Sequence, residues 1–185
     1  MTRKARADAA YNREHIVEVA RKAFAEEGLD LPVREIARRA GLAAATVHRH
    51  FPSRTDLVTA VLTGQVDRCV AEMAAAVADP DPGRALRRTV LRFAEHQLSD
   101  RGLTEALLGG HPAGAAFASY RPAQSRSLYR LVERARRAGA IREHVSVEDV
   151  RTGLLAIASF RTLPARQARP AVTRLANLVL AGITA

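Results

Sequence analysis

Val33-Arg-Glu-Ile-Ala-Arg-Arg-Ala-Gly-Leu-Ala-Ala-Ala-Thr-Val-His-Arg-His-Phe-Pro-Ser-Arg54 reads as two short helices joined by a glycine turn. Val33, Ile36, Ala37 and Ala40 fall at i, i+3, i+4 and i+7, which is one face of a helix. Gly41 ends that helix, because glycine adopts the left-handed conformation of a tight exit, and Leu42 folds back onto the apolar face. A second helix over Ala44 to Phe51 turns Val47 and Phe51 inward and leaves Ala45, Thr46, His48 and Arg49 pointing away from that core. These outward residues are small, hydroxylated or cationic. Small residues let a helix approach the floor of a DNA major groove, where an alanine or threonine methyl contacts a thymine methyl. Arg34, at the start of the first helix, is placed to reach a guanine edge or a phosphate. Pro52 discourages continuation, and Ser53-Arg-Thr-Asp56 is a capping box that starts another helix.

Upstream, Ile16, Val19, Ala20, Ala23 and Phe24 form the apolar stripe of a helix over Arg13 to Glu27, stopped by Gly28. Three helices then share one small core. Glu35-Ile36-Ala37, Ala40-Gly41-Leu42, Thr46-Val47 and His50-Phe51-Pro52-Ser53-Arg54 together resemble the N-terminal signature of TetR-family transcriptional regulators. The resemblance implies a DNA-binding domain over residues 9–69, with its helix-turn-helix at 32–51. It implies base-reading roles at Arg34, Ala45, Thr46 and Arg49, beside Ala44 on the DNA-facing surface, and phosphate contacts from His48, His50 and Arg54. The chain departs from the family pattern twice: His48 stands where Tyr is usual, and Ala43 stands where Ser or Thr usually caps the recognition helix. Loss of such a cap costs about 1 kcal/mol. If His48 donates to phosphate as imidazolium, operator affinity weakens as pH rises through its titration.

Composition agrees with a polyanionic partner. The 185 residues carry a formal charge of +10 and a pI near 11.1, and each phosphate that a cation neutralises releases counterions. Lysine occurs only at Lys4 and Lys22, and many arginines lie far beyond the motif, where solvated helix faces account for them. Arg3, Lys4 and Arg6 form a basic arm expected to be flexible, to precede the first helix and to touch DNA. The single cysteine, Cys69, excludes an internal disulfide, fits a reducing compartment and reads as a core position beside Val66, Val70 and Met73. No signal sequence and no apolar run of roughly 20 residues is present, so a cytoplasmic location without a membrane partner is expected.

The remainder, residues 70–185, reads as helix after helix, an all-α regulatory, ligand-binding and dimerisation domain; the whole chain should hold about nine helices. A fourth helix over Thr55 to Ala78 buries Leu57, Val61, Val66, Val70, Met73 and Val77. Asp79-Pro-Asp-Pro-Gly83 breaks it, and Asp81 with Pro82 starts a helix to Leu98. A short helix covers Leu103 to Leu108, Gly109 to Gly114 forms a flexible loop, and a further helix covers Ala123 to Ala138. Ser146-Val-Glu-Asp149 caps the penultimate helix, and the last is expected after Pro164 and Pro170. Both are apolar over most of their circumference, which a two-fold four-helix bundle would bury; Val150, Leu154, Ile157, Ala158, Leu175, Leu178 and Val179 are the interface candidates.

Arg101-Gly-Leu-Thr-Glu-Ala-Leu-Leu108, Arg137-Ala-Gly-Ala-Ile-Arg142 and Val145-Ser-Val-Glu-Asp-Val150 are similar to the C-terminal domain of SbtR-like TetR regulators. Family resemblance implies a small-molecule pocket between Gly83 and Ala138, for which Phe93, His96, Gln97, Leu107, Phe117 and Tyr120 are candidate liners. The function expected is a sequence-specific repressor that binds a palindromic double-stranded operator as a homodimer and is released by a small-molecule effector. The alternative is a non-specific architectural DNA-binding protein without an effector. Scattered histidines argue against an enzyme, and a metal sensor built on His96, His111 and Cys69 has no ligand spacing behind it. No catalytic residue, metal or cofactor is expected.

Overall fold

A computed structural model of the chain describes residues 3–108, 112–160, 163 and 165–185, with side chains from residue 7 onward except those of 108, 113 and 165. Among the described residues nine α-helices and one 3-10 helix form, and the chain divides into two compact units.

The first unit comprises Met1–Val66 and Asp100–Phe117. It holds α1 (Arg3–Glu27), α2 (Val33–Arg39), α3 (Ala44–His50), the first turns of α4 (Arg54–Ala78), α6 (Arg101–Leu108) and the 3-10 helix Pro112–Phe117. Its core is the expected one: Ile16, Ala20, Phe24, Ile36, Ala37, Val47 and Phe51 are all buried, joined by Leu57, Val58 and Leu62 from α4. Gly28 and Gly41 take the positive φ values, +89° and +67°, that their places as helix stops require. At Gly41 the exit is a Schellman turn, with Leu42 N–H on the Ala37 carbonyl at 3.0 Å and Gly41 N–H on that of Arg38 at 3.2 Å. The capping box before α4 forms in both directions, Ser53 N–H to Asp56 at 2.9 Å and Asp56 N–H to Ser53 Oγ at 3.1 Å.

Two expectations about this part need correction. α1 begins at Arg3 rather than near Arg13, so the basic arm is part of the helix; alanine, lysine and arginine are strong helix formers. The side chains of Arg3, Lys4 and Arg6 lie outside the described residues. The division at 69/70 is also not the observed one, because α6 and the 3-10 helix join the first unit. α6 packs on α1, burying Leu103 and Ala106. The approach is close: a Cβ at Gly102 would stand 2.9 Å from the Phe24 carbonyl oxygen.

The second unit comprises Asp67–Ser99 and Ala118–Ala185. It holds the rest of α4, then α5 (Pro82–Ser99), α7 (Tyr120–Arg137), α8 (Val147–Ser159) and α9 (Ala165–Ile183). α5 is central and touches α7, α8 and α9. Leu86 and Val90 from α5, Leu131 and Val132 from α7, Val150 and Ile157 from α8, and Val172 and Leu180 from α9 form the core. Asp81 caps α5 by accepting Arg84 N–H at 2.9 Å. Ser146 and Asp149 cap α8 reciprocally.

Asp79 holds the α4–α5 turn, accepting from Asp81 N–H at 2.9 Å, Arg88 at 2.7 Å and Arg84 at 3.2 Å. Arg134 from α7 donates to the carbonyls of Asp79, at 2.8 Å, and Val77. Val70, expected inside, is 45% exposed. α9 starts at Ala165 and contains Pro170, although proline was expected to delay it. Buried Ala168 and Val172, one turn apart, anchor the segment across the hydrogen bond that proline omits. Of the expected flexible loop, residues 109–111 lie outside the described residues, and Pro112 to Gly114 begin the 3-10 helix. No helix among the described residues is long and apolar enough to cross a membrane.

Candidate DNA-reading site and regulatory cavity

Burial of Val47 and Phe51 decides which way α3 faces. With that face turned inward, Ala44, Ala45, His48 and Arg49 are exposed, as is Arg34 at the start of α2, and Thr46 is half-buried. Charge sorts the arginines of this surface. Arg38 and Arg39 both donate to Glu35, Arg38 at 2.7 and 2.9 Å and Arg39 at 2.8 Å, and Arg39 also pairs with Glu27. Hydrogen bonds from Arg38 and then Arg39 hold the Glu35 carboxyl down at about 2, so it stays charged and neutralises them. Arg34 and Arg49 have no acidic partner among the described residues. Ala43 stands at the α3 N-cap in extended conformation with no side-chain cap bond, as its methyl dictates.

Two expected phosphate contacts are not laid out as such. Arg54 is half-buried, and its guanidinium donates to the carbonyl of Leu29 in the α1–α2 turn. A cation held by a buried backbone oxygen stabilises the turn instead of projecting to a backbone phosphate. His50 is half-buried with Nε2 enclosed and, among the described residues, unpartnered. A phosphate contact from this ring therefore has to run through Nδ1. His48 remains exposed as expected.

Sequence reasoning missed the bonds that hold the reading helices in place. His15 on α1 donates from Nε2 to the Ala40 carbonyl at 3.1 Å, and its ring stacks on Tyr11 with centroids 6.3 Å apart. Arg13 lies over the Phe51 ring, 4.8 Å from its centroid. Glu105 on α6 accepts the Leu29 N–H at 2.8 Å and Arg101 Nε at 2.7 Å. The backbone of Leu29 is therefore gripped at both its polar groups, by Glu105 at the N–H and by Arg54 at the carbonyl. A carboxylate 76 positions downstream carries no local signal in sequence.

Within the second unit, α4, α5 and α7 line a partly open cavity of about 120 Å³. Phe93, His96 and Tyr120 of the expected liners border it, and Gln97 does not. Leu107 and Phe117 belong to the first unit, carried there by α6 and the 3-10 helix. The remaining wall comes from α4 and the polar edge of α5, with Glu72, Met73, Arg88 and Arg92 prominent. Cys69 is half-buried on this wall and hydrogen-bonded to Tyr120, so it is not the plain core residue expected. Burial, followed by the neighbouring Cys69, pushes the Tyr120 phenol well above its ordinary range and keeps it neutral. Arg92 pairs with Glu72 at 2.7 Å, and Arg88 pairs with Asp79 at 2.7 Å. No group of three or more potential metal ligands occurs among the described residues. His111 lies outside them.

The interface candidates divide by burial. Val150, Ile157 and Ala158 are at most 2% exposed within the single chain. They are consumed by its own core and unavailable to a second copy. Val179 packs on Gly153 of α8, where a Cβ would lie 2.8 Å from its Cγ1. Leu154 and Leu175 are half-buried, whereas Leu178 is 62% exposed. Leu155, absent from the expected set, is 53% exposed. Helices apolar all round told which residues lose water, not which partner removes it.

Residues 16–61 match the model of bacterial regulatory proteins of the tetR family. Residues 81–185 match that of the SbtR-like transcriptional regulator C-terminal domain. A helix-turn-helix transcriptional regulator of Staphylococcus aureus is 38% identical over 63 residues, 34% of this chain and 34% of the relative, so the chain matches about a third of that protein's length. A TetR transcription regulatory protein from Mycobacterium vanbaalenii has a similar structure, with TM-score 0.63 and 35% identity over 98% of this chain and 99% of that one. A TetR transcriptional regulator from Streptomyces coelicolor gives TM-score 0.65 and 30% identity over 93% and 98%. With both halves matched and the helix-turn-helix formed as its residues require, the chain belongs to the TetR family of transcriptional regulators.

Proposed function

We propose that the chain is a cytoplasmic repressor that binds a palindromic operator as a homodimer and releases it when a small molecule enters the cavity of the second unit. The observation that carries this reading is a pair of exposed arginines, one on α2 and one on α3, with no carboxylate partner among the described residues. These are Arg34 and Arg49, beside the small side chains of Ala44, Ala45 and Thr46. Arg34, Ala45, Thr46 and Arg49 read base edges in the major groove, and His48 contacts phosphate. Homodimer formation is supported by the apolar side chains that the second unit leaves in water, Leu155 on α8 and Leu178 on α9. Two recognition helices related by a two-fold axis enter successive major grooves, which asks for an inverted repeat with half-sites a helical turn or more apart.

Footprinting on the promoter beside the protein's own gene tests the reading. A discrete protected inverted repeat is expected, with Arg34→Ala and Arg49→Ala each weakening binding by about 1–3 kcal/mol. Uniform, sequence-independent coverage would replace the repressor with an architectural DNA-binding protein.

A further inference from the structure

The walls of the second-unit cavity carry different chemistries, and together they define a class of ligand. Its volume of about 120 Å³ is near the roughly 150 Å³ of a cavity that holds a single benzene ring. Met73, Phe93 and the neutral ring of Tyr120 provide apolar surface for such a body. The polar edge is cationic in balance. Arg88 and Arg92, one helical turn apart on α5, both border the cavity, while Glu72 is the sole carboxylate among the residues that line it. Arg88 is held by Asp79, which does not line the cavity, and Arg92 is held by Glu72, which does. The Arg92–Glu72 pair is partly open to water, with side chains 46% and 34% exposed, so exchange of one carboxylate for another costs little desolvation.

We propose, resting on the effector-gated reading above, that the effector is a single-ring aromatic carboxylate. Its carboxylate replaces Glu72 on Arg92 while its ring lies among Met73, Phe93 and Tyr120. A cationic ligand would have to take Glu72 from Arg92 and then sit beside two guanidiniums. A neutral one would forgo the charge-assisted bond that the site offers. The exchange also has a mechanical consequence. Glu72 belongs to α4, whose earlier residues Leu57, Val58 and Val61 are buried in the first unit. Parting Glu72 from Arg92 removes an ion pair between that helix and α5.

Calorimetric titration of the full chain with benzoate, benzamide and benzylammonium tests the class, since the three share a ring and differ in charge. Benzoate should saturate the protein at least about tenfold more tightly than benzamide, the gain expected from one charge-assisted bond, and benzylammonium should not bind. Arg92→Gln should bring benzoate down to the benzamide level and leave benzamide unchanged. Glu72→Gln, which removes the competing carboxylate, should strengthen benzoate several-fold, a gain that a merely structural role would not produce. Equal or tighter binding of benzamide or benzylammonium, absence of all binding, or indifference of benzoate to both substitutions overturns the proposal. Operator binding is scored in a separate titration. A chain that binds no operator sinks the regulatory reading whatever its cavity prefers; one that binds operator but prefers the amide sinks the ligand class alone.

Discussion

Glu105→Ala should loosen the DNA-reading unit from a residue on α6, outside the helix-turn-helix. The carboxylate accepts the N–H of Leu29 at 2.8 Å, and Leu29 is fully buried. Alanine leaves that N–H without its acceptor, and an unsatisfied buried donor costs about 1–3 kcal/mol. The same substitution removes the bond to Arg101, whose side chain is 64% exposed, a pair worth about 0–1 kcal/mol. The expected sum is about 2 kcal/mol. For a chain of 185 residues, at about 2–4 °C per kcal/mol, this lowers the melting temperature by about 4–8 °C. Differential scanning fluorimetry at constant protein concentration measures it, with Arg101→Ala as the control that loses only the surface pair. Glu105→Gln keeps an oxygen acceptor and should fall between the two. If Glu105→Ala and Arg101→Ala melt within about 1 °C of each other, the Leu29 bond is not what Glu105 contributes.

Three further outcomes are expected. Gly41→Ala meets no steric obstacle, since nothing lies within 4 Å of its Cβ, yet φ there is +67°, so urea denaturation should show a loss of about 1–2 kcal/mol from backbone strain alone, with Gly41→Asn losing less. Leu178→Glu places a charge on the most exposed large apolar side chain of α9, and light scattering coupled to size exclusion should move from dimer mass toward monomer mass with helicity unchanged. Asp79 is held down at about 2 by the Asp81 N–H, then by Arg88 and Arg84. A carboxyl lower in the folded state than in the unfolded one adds stability that is complete above about pH 4 and is lost as pH falls through the folded value. Asp79→Asn should therefore flatten the urea midpoint between about pH 5 and 2 and be less stable than the parent at neutral pH.

Elements whose causes are local were legible in the chain. The Gly41 turn, the Ser53–Asp56 and Ser146–Asp149 boxes and the inward Val47 and Phe51 each depend on residues within about one helical turn. The DNA-facing surface follows from the same periodicity, because fixing one face of a short helix fixes the other. Sequence reasoning failed where one helix has to be placed against another. Val150 and Ile157 are as apolar as Leu155, yet only Leu155 faces water. Arg54 matches a motif position, yet a backbone carbonyl 25 residues upstream takes its guanidinium.

By itself, then, the sequence determined an all-helical chain, the Gly28 and Gly41 stops, the two capping boxes, the exposed face of the helix-turn-helix and the family, since these rest on spacing, caps and motif. Tertiary structure alone decided that α6 belongs with the DNA-reading unit, that Glu105 grips the α1–α2 turn, and that Glu72 and Arg92 meet beside an apolar cavity. Those facts depend on which faces of distant helices come together. A helical period states that a face is apolar, but the geometry of packing selects the face that covers it.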